Sequence, residues 1–188
     1  LNVDESIDGV GRSLFESKAV EWPTVRFEDA LKVSSGSFLP AKNMIPGPVP
    51  VYGGNGVSGF HDAANFSDPI VMIGRVGAYC GAVHQTDGPS WVTDNALVVK
   101  RAAGYEQSFL ASVLRHARLN QYASQTAQPA VSGVGLAKVQ IARPTEEAQH
   151  AYLEQRGNLE SALRGVRDEA AAISRLRASI FVEIFGGS

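Results

Sequence analysis

Between positions 46 and 99 the apolar residues fall in short runs, Val49–Tyr52, Ile70–Ile73 and Ala96–Val99, separated by Gly, Asn, Asp and Pro. That texture predicts short strands joined by tight turns. Gly53, Gly54, Gly56, Gly59, Gly74, Gly77, Gly81 and Gly88 crowd the same stretch, so the expected sheet is irregular and strongly bent. Upstream, Trp22-Pro23 punctuates the start of this module, Val25-Arg26-Phe27 reads as a short strand, and Phe27–Leu31 as a turn or short helical piece. Downstream, Phe109, Leu110, Val113, Leu114 and Ala117 recur at helical spacing and predict a helix over Ser108–Ala123. A polar loop then covers Gln125–Gly135, and Val139-Gln140-Ile141 forms a last strand before Pro144.

The pattern changes at Pro144. Thr145-Glu146-Glu147 suits a helix N-terminus, with a threonine able to cap and acids at the positive end of the dipole. Leu159, Leu163, Val166, Ala170, Ile173, Ile180 and Ile184 follow at spacings of three, four and seven, a heptad seam interrupted at Arg177, where Leu176 can substitute. No proline occurs after Pro144. Roughly 40 helical residues make a rod of about 60 Å, longer than the small module can bury, so the seam calls for a partner helix; the alternative is a surface helix lying on its own domain. The N-terminal Leu1–Glu21 is expected to be an acidic tail or linker, with Gly9 and Gly11 breaking any helix. The expected fold class is α+β: a bent glycine-rich sheet domain with short helices over residues 22–144, then a long coiled-coil helix over 145–188.

Composition excludes several classes. With 44% hydrophobic and 19% charged residues the chain is too apolar for disorder. No apolar run approaches about 18 residues, so no membrane span is expected. The first residues carry no basic-then-apolar leader, and the lone Cys80 suits a reducing cytoplasm, the expected location. The net charge of −2 argues against a nucleic-acid partner only until it is divided by segment. Residues 30–145 hold nine basic residues against five acids, whereas residues 1–29 hold three against seven and residues 146–188 five against seven. A basic module between acidic flanks is compatible with phosphate contact.

A search for chemistry is negative. Gly74–Gly81 is glycine-rich but lacks the Gly-Lys-Ser/Thr of a phosphate loop and the spacing of a dinucleotide fingerprint. His61, His84, His116 and His150 have no metal-ligand spacing, and Cys80 adds none. His61-Asp62 are neighbours expected on opposite faces of a strand, no Gly-x-Ser-x-Gly elbow occurs, and Cys80 reads as a buried, inert thiol. What remains is a binding surface. Lys42, Tyr52, Asn55, Arg75, Tyr79, His84 and Gln85 lie in or beside the glycine-rich turns, where Arg and Lys can reach guanine and Asn and Gln adenine. Arg115, Arg118, Lys138 and Arg143 are candidates for phosphate contact.

Pro50-Val51-Tyr52-Gly53-Gly54-Asn55-Gly56-Val57-Ser58-Gly59-Phe60 resembles the P-x-Y-G-x-x-G-x-x-G-[YF] signature of the target-recognition domain in type I restriction-modification specificity subunits. The segments Ile73–Val83, Trp91–Val99, Ser132-Gly133 and Val139–Pro144 follow in that family's order, and Leu176–Gly187 is similar to the end of its long helix. One departure concerns the helix start, where the family's usual Pro-x-x-Glu-Gln is here Pro144-Thr145-Glu146-Glu147-Ala148-Gln149.

The resemblance implies a reader without catalytic residues that binds one half of a bipartite double-stranded DNA site and binds no cofactor itself. Its implied partners are methyltransferase subunits, which use S-adenosylmethionine to methylate adenine, and a restriction subunit. The helix, paired antiparallel with a counterpart through Leu159, Leu163, Val166, Ala170, Ile173, Leu176, Ile180 and Ile184, would space the half-sites and dock the methyltransferase. Because the family carries two recognition domains, the resemblance implies either a half-subunit that dimerises or one half of a longer chain. Two alternatives stay open: a recognition domain from a fused restriction-methylation enzyme, and a coiled-coil scaffold whose β head binds something other than DNA.

Overall fold

A computed structural model of the chain describes residues 3–185. In chain order the first elements are α1 (Val3–Ala19), β1 (Thr24–Arg26), α2 (Phe27–Ala30), β2 (Leu31–Ser35), β3 (Val49–Gly53), β4 (Gly56–His61) and β5 (Val71–Gly74). Then come β6 (Val83–Gln85), β7 (Trp91–Val92), β8 (Ala96–Ala102), α3 (Gln107–His116), α4 (Gly133–Leu136), β9 (Gln140–Ala142) and α5 (Glu146–Phe185). Two 3-10 turns, Ala41–Asn43 and Leu119–Tyr122, complete the path. The chain divides into two units, Glu21–Gln149 and a second formed by Leu1–Val20 with His150–Ser188. The architecture is α+β with a long C-terminal helix, as the residue pattern predicts.

The Glu21–Gln149 unit holds three small sheets. A four-stranded sheet runs β2-β8-β5-β6, a three-stranded one β4-β3-β7, and β1 pairs with β9. All pairings are antiparallel except β3 with β7. Register shifts at Lys32/Val33 and Val51/Tyr52 bend the edges, as bulges do. The three apolar runs of the sequence become β3, β5 and β8, while β4, β6 and β7 are too short or too polar to stand out. Met72, Val92, Ala96 and Val98 form a fully buried cluster on which Tyr52, Phe66 and Ile70 pack. The amphipathic α3 buries Phe109, Leu110, Val113 and Leu114 and packs on β5 and β6. Trp22 meets the Phe109 ring edge-on at 5.3 Å.

The expected helix over 108–123 is cut short. α3 stops at His116, Arg118 takes the left-handed conformation at φ 48°, and a 3-10 turn buries Leu119. One residue out of the helical region redirects the chain.

The start of α5 is fixed by Gln149, which is buried. Its Oε1 accepts from the Glu106 amide at 2.8 Å, and its Nε2 donates to the carbonyls of Gly104 at 2.8 Å and Pro144 at 3.2 Å. The Glu106 carboxylate in turn caps α3 by accepting from the Phe109 amide. Nearby, the Tyr105 hydroxyl donates to the Ala142 carbonyl of β9 at 2.9 Å. Burial pushes the Tyr105 phenol up to about 12, against a smaller lowering by Arg143. A folded pKa above the unfolded value near 10 means stability is complete below pH 10 and falls as the phenol ionises toward pH 12. Melting temperatures across pH 9–12 are expected to fall less steeply in Tyr105→Phe than in the wild type. Parallel slopes would remove Tyr105 from this role.

In the second unit the N-terminal expectation is corrected. Residues Val3–Ala19 are helical, and neither Gly9 nor Gly11 breaks them. Each glycine costs a helix interior only about 1 kcal/mol. Against that stands the burial of Phe15, whose ring meets Tyr152 of α5 edge-on at 5.7 Å. A Cβ on Gly11 would lie 3.8 Å from Arg156 Nε. Because 15 pairs with 152 and 11 with 156, α1 and α5 run antiparallel. Along α5, Glu160 bridges Arg156 at 2.7 Å and Arg164 at 3.2 Å.

At one residue per residue the pairing register places Val3 opposite about position 164. Leu163 is half-buried, whereas further along Val166, Ile173, Leu176 and Ile180 are exposed, as is Ala170. Leu159 is 40% exposed, and the side chain of Ile184 lies outside the described residues.

Candidate nucleic-acid interface

Glycines, rather than strands, build the surface where most candidate residues meet. The β3–β4 hairpin turns through Gly54-Asn55 and closes on Gly56 at φ 88°, a left-handed position that glycine fills without strain. Gly74, at the end of β5, sits where a side chain would collide with the carbonyls of Gly54 and Tyr79. The hairpin tip and the 77–81 turn therefore cross over it. At the other end of that turn Gly81 abuts the backbone of Asn120, which brings in the Leu119–Tyr122 turn. Arg75 joins two more loops through its backbone, donating to the Asn95 carbonyl and accepting from the Val131 amide, each at 2.8 Å. Five irregular loops thus converge on one region of the Glu21–Gln149 unit.

The sequence-derived candidates fare differently there. Asn55 is exposed at the hairpin tip, Tyr79 is 56% exposed on the 77–81 turn, and Arg118 is exposed at its left-handed turn. Arg75 is half-buried, its Nη1 donating to Ser35 Oγ at 2.9 Å and to the Asp94 carbonyl at 3.4 Å. Arg115 is exposed on α3 with Nε donating to the Val83 carbonyl. Gln85 reaches Ser108 Oγ at 3.5 Å. Tyr52 packs on the core cluster, and burial followed by the charge of Asp87 raises its pKa.

His84 lies against Gly56, with Nε2 enclosed and lacking a hydrogen-bond partner among the described residues. Its pKa is lowered chiefly by burial and further by Arg115, against an opposing hydrogen bond with the Gly54 backbone. It therefore stands neutral at pH 7 and is a poor phosphate ligand. Lys42 is exposed on the Ala41–Asn43 turn, whose Ala41 and following Met44 share a groove with the hairpin. Lys138 lies apart, between α4 and β9, where Ala137 and Val139 accept from the Glu28 and Phe27 amides. Arg143 also lies elsewhere, its guanidinium against Gly104.

Two chemistry expectations can be compared with the geometry. Cys80 is buried, as expected for an inert thiol. His61 and Asp62 were expected to diverge, yet Nδ1 lies 3.2 Å from Asp62 Oδ1 because β4 ends at His61 and the chain leaves the pleat there. The same Nδ1 is 3.1 Å from both the amide and the carbonyl of Ile45, so this buried imidazole ties a loop to β4.

Residues not among the sequence-derived candidates also reach the surface. Asn95, Asn120, Gln121 and Tyr122 are all exposed. The last three were hidden inside the over-long helix expectation, and their proximity to Gly81 is a through-space fact with no sequence spacing behind it.

No family model matches the chain. The specificity subunit of the type I restriction enzyme EcoprrI of Escherichia coli is 30% identical over 140 residues, covering 72% of this chain and 35% of that protein. Among solved structures, the S subunit of the type I restriction-modification system of M. genitalium superposes with a TM-score of 0.64 at 14% identity, over 95% of this chain and 54% of that one. The HsdS subunit of Thermoanaerobacter tengcongensis gives a TM-score of 0.62 at 17% identity, over 97% of this chain and 51% of that one. The chain thus spans about a third of the curated relative and about half of each solved one. With its glycine-rich signature, its sheet-and-long-helix fold and these relatives in agreement, the chain belongs to the type I restriction-modification specificity-subunit family.

Proposed function

We propose that the Glu21–Gln149 unit reads one half of a bipartite duplex DNA target and that the chain catalyses nothing itself. The observation that carries this reading is the convergence of glycine-built loops that present Asn55, Tyr79, Arg118 and Asn120 to solvent. Amides can read base edges, a guanidinium can hold phosphate, and an aromatic ring can stack or wedge. The charge of residues 30–145, nine basic against five acidic, supports it, and the acidic α5 is suited to protein partners. The reaction would belong to cytoplasmic partners: methyltransferase subunits using S-adenosylmethionine on adenine, joined by a restriction subunit. Mixing the chain with such a methyltransferase and mapping modified adenines tests the assignment. Methylation confined to one short motif is expected, and methylation indifferent to the chain's presence would refute it.

The partner helix is assigned to the distal part of α5. Over its first turns α5 is paired with α1 of the same chain, whereas Val166, Ile173, Leu176 and Ile180 expose an apolar seam. This seam would take a second helix, from another copy or from the rest of a longer chain, in the antiparallel sense. Val166→Asp with Ile173→Asp is expected to weaken self-association or methyltransferase binding at least tenfold in sedimentation, since each buried aliphatic side chain is worth about 1.5–3 kcal/mol. An unchanged sedimentation profile would exclude the seam.

A further inference from the structure

The β3–β4 hairpin presents Asn55 between two glycines, and the two sides of its tip meet different kinds of neighbour. Beyond the Gly53–Gly56 pair the turn consists of Gly54 and Asn55 alone. A side chain added at Gly54 would come within 3.1 Å of the Asn95 carbonyl oxygen and 3.4 Å of that of Val76, so main chain lies against main chain there. At Gly56 the nearest atoms belong to one side chain. An added Cβ would lie 3.3 Å from Cε1, 3.4 Å from Nδ1 and 4.0 Å from Nε2 of the His84 imidazole. The same ring shares a hydrogen bond with the Gly54 backbone. His84 thus touches the tip on both sides of Asn55, while Asn55 itself is exposed.

His84 is itself well anchored. Its strand, β6, pairs with β5 through Val83, His84 and Gln85. On either side of the histidine α3 adds a tie, Arg115 Nε donating to the Val83 carbonyl and Ser108 Oγ meeting the Gln85 amide. The hairpin belongs to a different sheet, so the ring is a strut from one sheet to the reading tip of another. His84 Nε2 is enclosed and has no hydrogen-bond partner among the described residues, which keeps that nitrogen from a phosphate or a base edge. We infer that His84 is a positioning residue, holding the tip so that Asn55 meets one base of the target, and that it sets the preference at that base without touching DNA. The inference rests on the reading that this face binds DNA. A glycine-flanked, two-residue turn adopts many backbone conformations by itself, whereas pairing an amide with an adenine edge requires its donor and acceptor in register. The strut supplies what the turn lacks.

The probe is the duplex that the chain selects from a random-sequence pool, with each base pair of the motif replaced in turn. Affinities are compared for the wild type, Asn55→Ala, His84→Ala, His84→Phe and Asn55→Ala combined with His84→Ala. A paired amide discriminates between bases by roughly 5- to 150-fold, and Asn55→Ala is expected to lose that factor at one position. His84→Ala should lose discrimination severalfold at the same position and at no other. The combined variant should lose no more than Asn55→Ala alone, because a strut has nothing to place once the amide is gone. His84→Phe keeps a ring against Gly56 and should recover most of the loss, which a direct contact by the imidazole nitrogens would not allow. The salt slope should stay at its wild-type value in His84→Ala, in contrast to Arg118→Ala. Additive losses, a loss at another position or spread evenly over the motif, no recovery in His84→Phe, or a shallower salt slope would overturn the inference while DNA reading stands. So would a motif that neither Asn55→Ala nor His84→Ala alters. If the chain selects no duplex at all, the assignment of the whole face falls with the inference.

Discussion

Gly81→Ala is expected to destabilise the Glu21–Gln149 unit by roughly 2–6 kcal/mol in denaturant unfolding. Two independent costs combine at this position. Gly81 holds φ at 85°, a conformation that strains any residue with a Cβ by about 1–3 kcal/mol. The added methyl also runs into backbone atoms of Leu119 and Asn120, which cannot move aside as a flexible side chain can, and overpacking of that kind costs about 1–3 kcal/mol or more. The functional consequence should be as large as the structural one, because the turn positions Tyr79 on one side and the Asn120 turn on the other. Gly88→Ala is the control: nothing lies within 4 Å of its added Cβ and its φ is unremarkable, so a change within about 0.5 kcal/mol is expected. Equal effects of the two substitutions would show that the crossing of loops at Gly81 is misassigned.

Gln149→Ala is expected to cost about 2–4 kcal/mol. The buried amide serves one donor, the Glu106 N–H, and two acceptors, the carbonyls of Gly104 and Pro144. Truncation leaves the half-buried Glu106 amide and the carbonyl of the buried Pro144 without this partner, and each unsatisfied group costs about 1–3 kcal/mol. Gln149→Glu should be as damaging, since it preserves the acceptor for Glu106 but turns an oxygen toward two carbonyls. Gln149→Leu fills the space without restoring a bond, so stability in the wild-type range for this variant would show that packing, and not hydrogen bonding, fixes the first turn of α5.

The position of this glutamine bears on how the chain relates to its family. The usual Glu-Gln pair after the proline is absent from Pro144–Gln149, and Gln149 stands one residue later than the family's glutamine. In this structure Gln149 holds the start of α5 through its bonds to Glu106, Gly104 and Pro144.

What the residues disclosed in advance was whatever depends on local pattern. The apolar runs marked β3, β5 and β8, and the proline, threonine and acids marked the start of α5. The glycine-dense segments marked Asn55 and Tyr79 as turn residues. Where the outcome depended on distant partners, the pattern failed. Gly9 and Gly11 argued against a helix that Tyr152 stabilises through Phe15. No proline or glycine lies between His116 and Ala123 to announce that the helix ends at the left-handed Arg118. Tyr52, Arg75 and Gln85 have the chemistry of DNA contacts, and each also has a partner in the fold that its sequence neighbours do not announce: the Met72 cluster, Ser35 and Ser108. Asn120 acquires its interest only from Gly81, far away in sequence.

The most direct test of the central claim is selection of duplexes from a random-sequence pool by this chain, followed by titration of the winner across salt. Enrichment of one short motif is expected, with affinity falling linearly in log salt at a slope of about −0.9 per phosphate contact. Arg118→Ala should reduce that slope by about 1 while leaving the motif unchanged. A pool that emerges with no common motif, or binding that ignores both sequence and salt, would contradict the assignment of this chain as a reader of DNA.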